Sequence, residues 1–362
     1  MLKYLFAFII LIHGLIHFMG FAKAFNYGEL KQLTLPISKT QGTVWLITAL
    51  LFIFMAAAFL IKKENWWVVA FPAVALSQLV IIQSWKDAKY GTIANIIILV
   101  VAVLALTLVL FENKFRRDVK ESLQRTEALP AALLTEEDLQ HLPEPVQRYL
   151  RYSGVIGKTK VKNVYIAFEG KMRDKKRDYF SFRSEQYNFF DEPTRLFFMK
   201  GKMKGITVPG YHHYKNGNAV MDIRLFGLIP VVHKSGQVMN KAETVTVFND
   251  MCLFAPAALI DNRIRWQTID SLSVKASFTN KNITISAELK FDKEGKLINF
   301  ISGDRTELNS MEQIPWSTPI HQYKEVKGIK LMSEGDAVWH YPDSNFIYGQ
   351  FTLKEIAYNL KY

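Results

Sequence analysis

The sequence predicts an α-helical transmembrane bundle of four helices, followed by an α+β domain dominated by a large curved antiparallel sheet. Three observations predict it. Residues 1–112 hold four long apolar runs. Residues 113–157 turn charged and helix-compatible, the mark of a linker or collar. From residue 158 to 362 the hydrophobic period drops to two, and short strands alternate with turn signals. The averages hide this split: 49% of the 362 residues are hydrophobic and 22% are charged, and the mean hydropathy is +0.05.

That composition excludes a disordered or collagen-like chain. The single cysteine, Cys252, excludes an intramolecular disulfide and a Cys-rich metal site. The net charge is +12, and residues 1–125 carry 13 Lys and Arg against 6 Asp and Glu. The excess is densest beside the apolar runs, a pattern suited to anionic lipid head groups. Basic residues further on are interspersed with acids, and no nucleic-acid module is recognisable, so nucleic acid is not an expected partner.

The apolar runs span Tyr4–Phe21, Val44–Ile61, Trp66–Ser84 and Ile93–Phe111. Each is close to the ~20 residues that a helix needs to cross the hydrocarbon core. Trp45, Trp66, Trp67 and Trp85 sit at run ends, where an aromatic belt places them. Pro72 lies inside the third run and is tolerated if neighbouring helices cover the freed carbonyl. The first run also has the outline of a signal peptide, with Lys3 ahead of it and Ala22-Lys23-Ala24 after it. Its length, and the interruption by His13 and His17, favour an uncleaved helix. On one side of the bilayer fall Lys3, Lys62, Lys63 and five basic residues between Lys114 and Arg125. On the other fall Lys23, Lys31, Lys39, Lys86 and Lys89. That imbalance predicts both chain ends, and the large domain, on the cytoplasmic side.

His13 and His17 are four residues apart and share one helix face, with Gly14 and Gly20 permitting close helix approach. An ionisable pair inside a membrane invites a metal, haem or proton-handling role. The plainer expectation is two neutral imidazoles hydrogen-bonded to Ser77, Gln78, Gln83 or Asn95 on other helices, because no third ligand is evident. The pair stands as the one metal candidate, and no cofactor is specified. Trp85 to Gly91 reads as a tight mixed-charge turn, with Asp87 capping or pairing locally.

Lys114 to Glu127 is expected to continue the fourth helix. Thr135 ahead of Glu136, Glu137 and Asp138 reads as a helix start. Pro143 and Pro145 break that helix, and Val146 to Tyr152 forms another, closed by Gly154. The strand pattern then covers Val161–Gly170, Tyr179–Phe190, Arg195–Met199, Ala219–Leu225, Val274–Phe278, Ile283–Phe291, Leu297–Ser302, His321–Val326, Ile329–Tyr341 and Phe346–Tyr358. Asn216-Gly217-Asn218, Thr279 to Asn282, Lys293 to Lys296 and Lys327-Gly328 mark turns. Many strands on short turns imply a large antiparallel meander. Lys241 to Ile260 reads as a helix packed on one sheet face, with a boundary at Pro256.

Phe180, Phe182, Phe189, Phe190, Phe197, Phe198, Trp266, Trp316 and Trp339 supply more apolar surface than one sheet face usually needs. Filling a closed core is their ordinary fate. A curved sheet with an apolar concavity could instead hold a lipid-like ligand, and a membrane tether puts such a domain beside its source. Phe189, Phe190, Phe197, Phe198, Trp266, Trp316 and Trp339 are therefore the ligand-binding candidates. No catalytic residue is assigned. His212, His213, His233, His321 and His340 are dispersed, and no H-x-E or H-E-x-x-H spacing occurs. Ser235-Gly236 and Ser302-Gly303 lack the nucleophile elbow, and Gly201 to Gly205 lacks the phosphate-loop ending. Asp222 with Arg224, and Asp304 with Arg305, read as ion pairs rather than acid–base machinery. The chain leans toward a binder, not an enzyme.

Ile12-His13-Gly14-Leu15-Ile16-His17-Phe18-Met19-Gly20-Phe21-Ala22-Lys23-Ala24-Phe25 resembles the first helix of an uncharacterised bacterial membrane-protein family of unknown function. Ser84 to Asn95 resembles its segment before the fourth helix. Tyr214 to Pro230, with Asp222 and Gly227-Leu228-Ile229-Pro230, resembles its β-rich soluble domain. The resemblance covers most of the chain and implies no activity. In architecture alone the domain is similar to lipoprotein-carrier-like half-barrels, which act outside the inner membrane, whereas the loop charges here place the domain inside. The expectation is a multi-pass protein of the bacterial inner membrane, whose β-rich domain holds a lipophilic ligand or a membrane-associated protein partner. The alternatives are metal, haem or proton handling at His13 and His17, and a structural subunit of an envelope complex.

Overall fold

The computed structural model describes residues 2–28, 30–175, 177–203, 205–307 and 311–362. By its internal contacts the chain divides into two units, Met1–Leu110 and Phe111–Tyr362.

The first unit contains α1 (Leu2–Ala24), α2 (Lys39–Leu60), α3 (Trp66–Gln83) and the single turn α4 (Trp85–Ala88). It also holds the start of α5 (Gly91–Glu127). Of these, α1, α2, α3 and α5 are long and apolar enough to cross a membrane. A capping box opens α2: the Gln41 amide donates to Ser38 Oγ, and the Ser38 amide donates to Gln41 Oε1. On α1, the buried stripe Ala7, Ile10, His13, Gly14, His17, Gly20 and Ala24 repeats every three or four residues. Phe8, Ile12 and Ile16 between them are exposed.

Two glycines set the spacing of α1 and α2. A Cβ on Gly14 would lie 2.8 Å from Phe52 Cβ, and one on Gly20 would lie 2.1 Å from the Trp45 ring. Only hydrogen fits at either point, so the backbones approach closely and gain dispersion contacts. Asp87 does not cap locally as expected. Its carboxylate accepts from the Thr34 amide at 2.5 Å, Thr34 Oγ1 at 2.8 Å and the Leu35 amide at 3.1 Å, tying α4 to the loop before α2.

The second unit begins with the remainder of α5, from Phe111. A short 3₁₀ turn (Glu137–Leu139) and α6 (Glu144–Ser153) follow. Thr135 does not cap a helix; the Asp138 carboxylate reaches back to its amide and hydroxyl instead. Gly154 closes α6 with φ +70°, a left-handed stop.

The strands are β1 (Asn163–Met172), β2 (Phe180–Phe189), β3 (Thr194–Met203), β4 (Ile206–Lys215), β5 (Asn218–Leu225), β6 (Ile229–Ser235), β7 (Ile264–Thr268) and β8 (Ser273–Asn280). They continue with β9 (Ile283–Phe291), β10 (Leu297–Ser302), β11 (Thr306–Glu307), β12 (Glu312–Gln313), β13 (Trp316–Ser317), β14 (Ile320–Val326), β15 (Ile329–His340) and β16 (Asn345–Tyr358). All but β11 and β12 join one 14-stranded sheet, in the order β6-β5-β4-β3-β2-β1-β16-β15-β13-β10-β9-β8-β7, with β14 also on β15. Its pairings are antiparallel, and it curves into a half-barrel. Asn216-Gly217 and Lys327-Gly328 make two-residue turns with positive φ at both positions, the geometry that matches strand twist.

Strands β4, β6 and β7 were not expected from the sequence. Pro209 and Pro230 break the strand pattern, yet both are accommodated. Pairing of β4 with β5 begins only at Gly210, so the missing amide of Pro209 takes nothing from that ladder, and Pro230 lies on edge strand β6. The glycine-flanked stretch 201–205 ends β3 and leads into β4, and its Lys204 lies outside the described residues.

Helix α7 (Gln237–Phe254) and a 3₁₀ turn (Pro256–Ile260) lie against the inner face of the sheet. From Ala242 onward every α7 residue is buried, its polar side chains included. Phe248 stacks on Phe278 with centroids 5.4 Å apart and meets the edge of Phe300 at 5.7 Å. On the outer face, Phe111, Phe115, Val119 and Leu123 of α5 repeat every four residues and pack on Phe189, Leu196, Phe198 and Tyr211. Ion pairs border that stripe: Arg116–Glu185 at 2.6 Å, Arg125–Asp191 at 2.8 Å and Lys215–Asp118 at 2.9 Å.

Gly20→Leu forces Trp45 off α1, at a cost of about 1–3 kcal/mol, and lowers the thermal midpoint of the detergent-solubilised full chain. Gly28→Ala, where an added Cβ meets nothing within 4 Å, leaves the midpoint in place.

Candidate functional site

Strand alternation sorts the side chains of β2, β3 and β4 into two sets. Cross-strand registers pair Asn188 with Arg195, Gln186 with Phe197, and Phe197 with His212. These side chains face inward, toward α7. The intervening Tyr187, Leu196, Phe198 and Tyr211 face outward, toward α5.

Between the inner face and α7 lies a cavity of about 180 Å³. One wall is apolar and includes Phe168, Met172, Leu253, Phe254, Met332 and Phe351. The other is charged. Arg195 on β3 sits at its centre, with only 7% of its surface exposed. Its Nε donates to Asp250 Oδ2 at 2.8 Å and its Nη2 to Gln186 Oε1 at 2.9 Å, while Nη1 lies 3.3 Å from Glu243 Oε2. Gln186 and Asn188 also donate to Asp250 Oδ2, at 2.8 and 3.0 Å. Thr246 donates to Glu243 Oε1, and Thr318 to Asn249 Oδ1.

His212 Nε2 lies 3.3 Å from Glu243 Oε1 without hydrogen-bond geometry, and it is buried with no partner among the described residues. Arg305 lines the same cavity and lays its guanidinium over Trp316 at 4.3 Å. The expected Asp304–Arg305 pair does not form, since Asp304 binds Lys241 at 2.8 Å. Asp222 and Arg224 do pair, at 2.9 Å.

The electrostatics follow from burial and neighbours. Burial lowers His212 to about 4, with Glu243 opposing and the cations Arg195 and Arg305 adding to the drop, so the imidazole is neutral at pH 7. Burial works against ionising Glu243, but His212, once it takes a proton in the acid range where the carboxyl titrates, and the standing cations Arg195 and Arg305 outweigh it and hold the carboxyl below its usual range. Burial raises Asp250 despite Arg195 and Asn188. The wall thus presents fixed donors, an ionised Glu243 and an unengaged imidazole nitrogen to an apolar space. Such an arrangement binds and orients a polar head. Among the described residues, no group of three metal-ligating side chains gathers.

The cavity is small. At ~30 Å³ per water it has room for roughly six waters, below the ~300–1,000 Å³ typical of ligand pockets. It admits a head group or a few carbons, and a longer chain requires the wall to give. A larger hollow of about 680 Å³ on the outer face, among Lys171, Arg183, Lys200, Lys202 and Lys354, is an open depression in which Glu169 pairs with Arg183 and Lys354.

A family model described as "Family of unknown function (DUF6544)" matches residues 132–351, well over half of the chain. The protein belongs to this family. In the DUF6544 chain, the matched segment contains the whole cavity wall, from Phe168 to Phe351. Among solved structures, a LolA superfamily protein from Nitrosomonas europaea is similar, with a TM-score of 0.36 and 7% identity over 58% of this chain and 92% of that one. No curated protein matches the sequence.

Of the seven aromatic residues singled out in the sequence, Phe197 and Trp316 line the cavity. Phe190, Trp339 and the half-buried Trp266 belong to the surrounding core. Phe189 and Phe198 lie on the outer face with Phe115. The charged residues Arg195, His212, Glu243 and Asp250 were not singled out. One signal for two of them was present: Glu243, Thr246 and Asp250 recur at i, i+3 and i+7 and mark a polar stripe on an otherwise apolar helix.

In the first unit, His17 Nδ1 bonds the His13 carbonyl at 2.7 Å, and His17 Nε2 bonds Ser77 Oγ at 2.9 Å. His13 Nε2 bonds Asn95 Oδ1 at 2.9 Å and Ser77 Oγ at 3.2 Å. Ser77 and Asn95 are two of the four partners considered from the sequence.

Arg195→Met leaves Asp250 and Glu243 buried without their cation and costs about 3–5 kcal/mol, read from urea unfolding of the full chain in detergent. His212 makes stability pH-dependent. Between pH 6.5 and about 4 the unfolded chain takes up a proton that the folded site refuses, so stability is lost as pH falls through that window. His212→Phe removes this increment, and the difference between variant and parent shrinks from pH 7.5 to pH 4.5.

Proposed function

We propose that this protein is a membrane-anchored binding protein whose β-rich domain holds the polar head of a lipophilic ligand. Four apolar helices anchor it, and their loop charges favour the bacterial inner membrane with the domain on the cytoplasmic side. The observation that carries this reading is the Arg195-centred network facing an apolar wall across a cavity. A core built for stability alone gains little from buried ion pairs, since well-packed apolar residues do as well or better. A cavity with both walls matches an amphipathic molecule, whose head meets Arg195, Glu243 and His212 while its first carbons meet Phe168, Phe254 and Phe351.

The test is native mass spectrometry of the full chain, purified in mild detergent, with organic extraction and mass spectrometry of what comes off. The expected result is one class of amphipathic lipid at near-stoichiometric occupancy, reduced several-fold in Phe197→Arg, which fills the cavity with a charge. A bare mass in the parent protein contradicts the proposal.

A further inference from the structure

A separate cleft lies in the first unit, among residues of that unit alone. It measures about 530 Å³ and runs along α1 beside the start of α5, with His13, His17, Trp45 and Gly91 in its wall. Its volume falls within the range of small-molecule sites. It extends from Met19 and Leu33 at one end to Phe8 at the other, twelve residues of α1 or roughly 16 Å.

Hydrogen-bond bookkeeping fixes the chemistry of its polar floor. A backbone carbonyl only accepts, so His17 Nδ1 must carry the proton it gives to the His13 carbonyl. His17 Nε2 is then a bare acceptor and takes the Ser77 hydroxyl proton. Ser77 Oγ, its proton spent, can only accept from His13 Nε2. His13 is therefore the Nε2–H tautomer, donating to Asn95 Oδ1 and Ser77. Asn95 passes the chain on, donating to Gln78 Oε1. One position is left over. The His13 Nδ1 lone pair has no donor among the described residues, and its ring borders the cleft. A donor brought by a ligand in the cleft would complete this acceptor.

The walls select the ligand's shape. The Trp45 and His17 rings lie 5.1 Å apart and offer aromatic surface. Gly91 carries no side chain, and a Cβ there would come within 3.4 Å of His13 Cε1 and 2.8 Å of Ile81. That leaves a flat slot beside the imidazole. We propose that this cleft binds a membrane lipid with a hydroxyl-bearing ring as its head, of the phenol or hydroquinone class. The ring hydroxyl donates to His13 Nδ1, and the apolar tail lies along Phe8 and Ile12.

The test compares decylhydroquinone with its dimethyl ether, which has the same ring and tail and no donor. Both are titrated into the full chain in lipid nanodiscs, with binding read by equilibrium dialysis. The parent protein should bind the hydroquinone about tenfold tighter, the scale of one hydrogen bond. His13→Phe should bring the two to parity, and Ser77→Ala, which unlocks the tautomer, should narrow the gap. Equal binding by the parent, no binding of either, or a gap that survives His13→Phe overturns the proposal. If His13→Phe does not fold, Gly91→Leu leaves both histidines in place and fills the slot. It should abolish binding of both compounds, and retained binding overturns the proposal equally.

Discussion

The Arg195–Asp250 pair is the constraint on which the β-rich domain depends. It joins β3, in the middle of one half of the sheet, to α7, the helix that fills the concavity. A guanidinium and a carboxylate taken out of water are costly unless each is fully engaged. Here Gln186 and Asn188 complete Asp250, and Gln186 and Glu243 complete Arg195. Satisfying those groups fixes the rotation of α7 as well as its position. Its apolar flank then meets Phe278 and Phe300, and its polar stripe meets the cavity.

The same strands are held from the other side. Phe198 and Tyr211 neighbour the inward Phe197 and His212 along the chain, and they bury themselves under Phe115. Tyr211 also donates to Asp118 at 2.7 Å. Strands β3 and β4 are thus clamped between α5 outside and α7 inside.

The four apolar helices, the helical run from Lys114 to Glu127, the α6 stop at Gly154 and most strands were legible because each rests on a local rule. Helix length, period two and positive-φ turn residues need no knowledge of what packs where. Strands β4 and β6 were not legible, because Pro209 and Pro230 read as breakers until the sheet shows which amides are unpaired. The cavity was harder still. Adjacent aromatics such as Phe197 and Phe198 point to opposite faces of a strand, and parity alone does not say which face is inside. Arg195 and Asp250 are far apart in sequence and look like ordinary surface charges until the sheet closes over α7. Asp87 shows the same limit, since its partners in the loop before α2 are brought near by helix packing alone.

The central claim is that the space between α7 and the inner face holds an amphipathic ligand in the living membrane. Site-specific photocrosslinking tests it most directly, with a photoreactive side chain placed at Phe197 in one variant and at Phe198 in another, both irradiated in intact membranes. The account predicts a lipid adduct of defined mass from position 197, with its polar head still attached, and none from position 198 beneath α5. Adducts of equal yield from both positions, or protein-only adducts from position 197, would contradict it.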